Sequence, residues 1–100
     1  MGVDKMNKAI WKYTLLPQTK QEMILPLNSK ILSVKVQHEE IVLYALVDPD
    51  ETSIETVDII ILGTGHKIAD ESIRDYVFLD TVKMNNGHLM FHVFYRQYDF

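Results

Sequence analysis

The chain has 100 residues, of which 47% are hydrophobic and 24% charged, with a formal charge of −4 at pH 7 and no cysteine. This is the composition of one globular domain, and it excludes low-complexity disorder, a disulfide framework, thiolate metal sites and a cysteine nucleophile. The acidic balance argues against duplex nucleic acid as a partner, because that affinity comes mostly from clustered Lys and Arg releasing counterions. With no apolar run of ~18 residues and no signal-like N-terminus, the expectation is a protein of the cytoplasm with no membrane partner.

Residues 1–8 read as a flexible N-terminal arm, and the whole of 1–100 as a single β domain. From Ala9 to Leu15 the chain alternates, with Ala9, Trp11, Tyr13 and Leu15 on one side, until Pro17 ends the run. Glu22 to Leu25 reads as a short or edge strand, stopped by Pro26 and Asn28-Ser29. Ile31 to Gln37 is expected to bury Leu32, Val34 and Val36 and to expose Ser33, Lys35 and Gln37. A turn at His38-Glu39-Glu40 leads into Ile41 to Val47, which is apolar throughout apart from the Tyr44 hydroxyl and therefore reads as a central strand covered on both faces.

Asp48-Pro49-Asp50-Glu51 is a strong stop, and an acidic loop is expected to reach Ser53. Thr56 to Leu62, rich in β-branched residues, is the fifth strand, broken by Gly63 and Gly65. Between Ile68 and Asp75 there is room for one short helical turn beginning at Asp70. Tyr76 to Val82 and His88 to Arg96 are the last two strands, joined by Asn85-Asn86-Gly87, residues that tolerate positive φ. His88 to Arg96 is largely apolar on both faces, so it too is expected to be central or to meet an oligomer contact.

About seven short strands with so little helix predict an all-β fold, an antiparallel sandwich or a partly open barrel. Strands apolar on both faces are more than an isolated two-layer sandwich needs. This predicts cover by copies of the same chain, a homo-oligomer, or by a partner.

The chemistry is less specific. His88 and His92, four apart on a strand rising ~3.3 Å per residue, stand ~13 Å from each other and cannot chelate one metal together. No Gly-x-Ser-x-Gly is present, and Thr52, Ser53 and Thr56 have no neighbouring histidine. The paired carboxylates at Glu39-Glu40 and Asp48 to Glu51 fall in turns. No catalytic residue, metal ligand or cofactor is therefore assigned. Gly63-Thr64-Gly65-His66-Lys67 is either a tight turn or a loop whose amides and side-chain donors approach a phosphate or carboxylate. Trp11, Phe91 and Phe94 read first as core, whereas Tyr95, Arg96, Tyr98 and Phe100 read as reaching an interface.

Trp11-Lys12-Tyr13, Ile31-Leu32-Ser33-Val34, Val36-Gln37, Tyr44-Ala45-Leu46-Val47-Asp48, Gly63-Thr64-Gly65-His66 and Phe91-His92-Val93-Phe94 stand in an order that resembles a family of short tailed-phage proteins of unassigned function. The resemblance covers nearly the whole chain. It departs at the glycine-free His38-Glu39-Glu40 hairpin and in continuing past Phe94 to Phe100. It implies a phage protein in the infected host's cytoplasm, of the kind that counters host defence. The expected function is sequestration of a small nucleotide-type immune signal. Gly63 to Lys67 would cradle the phosphate, His92 or Arg96 would add charge, and Trp11 or Tyr95 would stack the base. The alternatives are an inhibitor that caps a host defence protein, and a minor virion component.

Overall fold

A computed structural model describes residues 7–98, so most of the expected N-terminal arm, and Phe100, lie outside the described residues. Seven strands form two antiparallel sheets. The three-stranded sheet has the order β1 (Ala9–Thr14), β4 (Glu40–Val47), β3 (Lys30–Gln37). The four-stranded sheet runs β2 (Lys20–Pro26), β5 (Ile54–Gly63), β7 (Leu89–Gln97), β6 (Val77–Met84). One helical turn, α1 (Asp70–Ile73), lies between β5 and β6. The predicted all-β sandwich is what forms, with open edges rather than a closed barrel, and β4, β5 and β7 are interior strands.

The core lies between the sheets. Ile41, Leu43, Ala45 and Val47 of β4 face Val57, Ile59 and Ile61 of β5 and Val93 of β7, all nearly devoid of solvent contact. These are alternate residues, as a strand that buries one face requires.

Several expectations about individual residues are corrected. Leu32 was expected inside, but the register steps from Ile31↔Ala45 to Ser33↔Tyr44, so Leu32 is the extra residue of a β-bulge. Ile31 enters the core in its place, and Leu32 is left 37% exposed. Secondly, the β3–β4 loop is His38-Glu39 alone, because Gln37 pairs with Glu40; both loop residues take positive φ, 51° and 62°, as a primed two-residue turn demands. Trp11 shares a row with buried Ala45, but it sits on edge strand β1 and stays 40% exposed outside the core. Lastly, β5 begins at Ile54, two residues before the expected Thr56, and Glu55 is buried. Its carboxylate accepts a hydrogen bond at 2.7 Å from Gln97 Nε2, which also donates to the Ser29 carbonyl.

The second apolar face of β5 finds its cover within the chain. Gly63 pairs with Phe91, whereas Val77 pairs with Tyr95, so the connection 64–76 must return along the length of the sheet. It does so over the outer face. Ile60 and Leu62 are buried there although they lie outside the inter-sheet core. Phe94, expected in the core, also belongs to this second layer, in an edge-to-face contact with Phe78 at 5.4 Å between ring centres.

Candidate functional site

One end of the sandwich is framed by the β1–β2 connection, both hairpin loops and the end of β5. Between them lies a cleft of about 410 Å³, within the usual range for small-ligand sites. Leu15, Leu16 and Pro17 form one side, Met84, Leu89 and Phe91 another, and Ile41 and Ile61 close the floor. Gln18, Thr19, Glu39, Glu40 and His66 supply its polar atoms, and Gly63 completes the wall beside His66.

Backbone conformation builds this end. In the β6–β7 loop, Asn85, Asn86 and Gly87 all have positive φ, and the His88 amide closes onto the Asn85 carbonyl at 3.0 Å. The Asn85 amide donates to Glu39 Oε2 at 3.3 Å, which ties this loop to the β3–β4 turn across the cleft. On the remaining side, Gln21 accepts from the Leu16 amide and donates to the Leu16 carbonyl, each at 2.8 Å, holding the β1–β2 connection in shape.

Gly63-Thr64-Gly65-His66 is a β-turn. The His66 amide donates to the Gly63 carbonyl at 3.0 Å, and Gly65, in the third position, has φ +87°, the value a type II turn places there. A Cβ on Gly63 would meet Phe91 at an ordinary 3.7 Å, so of the two glycines only Gly65 is demanded by conformation. The Thr64 amide is engaged by the Met90 carbonyl at 3.3 Å.

The structure brings Thr64 and His92 together and leaves the other expected ligands apart. His92 Nε2 is 2.8 Å from Thr64 Oγ1, and its Nδ1 is 2.8 Å from Thr81 Oγ1. The imidazole therefore straps the end of β5 to β6 across β7, with both ring nitrogens engaged. Arg96 lies on the same outer face, four residues along β7 and so ~13 Å away. Tyr95 packs against the core on the opposite face, and Trp11 is on the edge strand of the other sheet.

Sequence reasoning did not find the surroundings of Arg96. Its Nη2 donates to Asp58 Oδ2 at 2.8 Å, and its guanidinium carbon lies 4.6 Å from the Tyr76 ring centre and 5.2 Å from that of Tyr98. Tyr98 also donates to Asp58 Oδ2, at 2.9 Å. Burial pushes the Tyr76 hydroxyl above its ordinary pKa, and the hydrogen bond to Asp58 raises those of Tyr98 and Arg96. Tyr76 is the last residue of the 64–76 connection, so this cluster latches the strap to the sheet. No motif announces it, because Asp58, Tyr76 and Arg96 meet only through strand pairing.

Among the described residues no group of three or more His, Asp or Glu is arranged to hold a metal ion, and no helix is long and apolar enough to cross a membrane. No curated protein and no solved structure matches the chain. One family does match, over residues 6–99 and hence almost the entire chain: the protein belongs to the family described as Domain of unknown function (DUF7352).

Proposed function

We propose that the protein is a small non-enzymatic binding module of a phage. It acts in the cytoplasm of the infected bacterium and sequesters a nucleotide-type signal of host defence. The observation that carries this reading is the shared wall: Gly63 and His66 belong both to the glycine turn and to the apolar cleft. A purine enters the cleft against Leu16, Leu89 and Phe91. Its exocyclic amino group faces the Glu39 carboxylate, which keeps the phosphate out of the inner mouth. The phosphate lies over the turn, toward Lys67 and the Gly65 amide. In this arrangement Thr64 and His92 stiffen the turn, and Trp11, Tyr95 and Arg96 take no part.

Calorimetry and thermal melting with purine mono-, di- and cyclic nucleotides test this reading. A ligand at 100 times its dissociation constant stabilises by about 2.7 kcal/mol, and Lys67→Ala should weaken it. If no nucleotide raises stability, and heated protein releases no small molecule detectable by mass spectrometry, the reading fails. Exposed Ile24, Ile54 and Tyr98 favour a second reading, capping of a host protein. That reading calls for a stoichiometric host partner retained by tagged protein.

A further inference from the structure

The two outer faces of the sandwich differ in charge. On the three-stranded sheet the outward rows are Ile10–Leu46–Lys30, Lys12–Tyr44–Ser33 and Thr14–Val42–Lys35. Three lysines thus surround an apolar strip in which Ile10 is 61% exposed, and the carboxylate on this face, Glu40, sits at its hairpin end. On the four-stranded sheet the strap covers only the half around Ile60 and Leu62. The bare half presents Ile24 and Ile54, 62% and 65% exposed, with Tyr98 beside them. Glu22, Glu71 and Asp75 border it with one lysine, Lys20, among them, so carboxylates outnumber lysine there, and the ion pairs of this side, Arg96–Asp58 and Arg74–Asp70, include none of these four.

We infer that copies of this chain associate head to tail, the lysine-bordered outer face of β1, β4 and β3 seating on the carboxylate-bordered bare half of the other sheet. Each face is apolar at its centre and charged at its border. The opposite signs favour unlike faces meeting, because like faces would set lysine against lysine or carboxylate against carboxylate. Such contacts are heterologous. With the two faces on opposite sides of the sandwich, each added copy leaves a fresh face, so the product is a ladder of sizes or a ring rather than a closed two-fold dimer. Strands ~4.8 Å apart and about 26 Å long make a face of only a few hundred Å², so the association is weak and salt-sensitive. This inference does not depend on the cleft.

Sedimentation velocity of the full chain at 10–300 µM tests it, with two surface variants. Lys30→Glu/Lys35→Glu spoils the first face and Ile24→Arg/Ile54→Arg the second, and circular dichroism checks that both remain folded. Wild type should show a concentration-dependent ladder that collapses toward monomer in 0.5 M salt. Each variant alone should be monomeric. Their equimolar mixture should form heterodimer and stop there, since each supplies the face the other lacks. Wild type that stays monomeric throughout overturns the inference, as does a variant that self-associates through its intact face or a mixture that does not complement. Binding of labelled single-stranded RNA to the lysine face of the monomer, with no ladder, would also overturn it and make that face a nucleic-acid surface.

Discussion

The strands β4 and β5 are both apolar on two sides, and the chain shields their outer sides by different means. Outward Val42 of β4 is 2% exposed because Thr14 and Lys35, its row partners, flank it; Tyr44 and Leu46 remain half-buried. Outward Ile60 and Leu62 of β5 are buried beside Phe94 and His92, on the face that residues 64–76 cross, with Glu71, Ser72 and Tyr76 near Asp58 and the connection latched through Tyr76 on Arg96. A two-sided apolar strand is therefore no proof of a missing subunit. The lysine stems of one sheet do by side-chain reach what a returning segment does on the other.

The largest effect expected from this contrast is at Ile60. Ile60→Ala should cost about 2–5 kcal/mol by chemical denaturation, a core-sized loss outside the inter-sheet core, whereas Leu46→Ala on the uncovered sheet should cost under about 1 kcal/mol. Equal losses would mean that the strap shields no better than the lysine stems. The turn that starts the strap comes next: Gly65→Ala places a side chain at φ +87° and should cost about 1–2 kcal/mol, while Gly63→Ala should be nearly neutral. On the hairpin of the other sheet the sign reverses. His38→Asn, at φ 51°, should stabilise by about 0.5–1 kcal/mol in thermal melts, because asparagine tolerates the left-handed region better.

The latch predicts a local effect. In Arg96→Ala, amide hydrogen exchange should accelerate in residues 64–76 and leave β1, β3 and β4 unchanged; a uniform change across both sheets would show that Arg96 supports the whole fold instead. The smallest effect is on alkaline stability. Tyr76 and Tyr98 have their pKa values raised above 10.0, so the fold favours their neutral forms. Their contribution is complete below pH 10 and is lost as pH rises through the raised values. Tyr76→Phe/Tyr98→Phe should flatten stability between pH 10 and 12, and an unchanged slope would remove the latch tyrosines from the titration.

Much of this architecture was legible in the residues. Alternation in β1 and β3, the continuous apolar run of β4, proline and glycine stops, and the Asn85-Asn86-Gly87 loop placed all seven strands and the short helical turn, because local periodicity and turn chemistry are local properties. The cleft was half legible: the glycine turn stood out, but its apolar partners Leu16, Met84 and Leu89 come from separate connections and carry no motif.

What the sequence by itself determined is the class of fold, the central position of β4 and a break after β5 at Gly63 and Gly65; that Gly65 alone is demanded by conformation came from its φ. Only the tertiary structure decided where side chains converge. The bulge exchanges Leu32 for Ile31 at no cost visible in the pattern, since a one-residue slip reverses which side chain faces inward. The route of 64–76 crosses the outer face of β7, a strand whose second apolar side the sequence assigned to a central position or to an oligomer contact. Strand pairing joins Thr64 to His92 and Asp58 to Arg96 across separations of 28 and 38 residues, and no local rule reads contacts at that range.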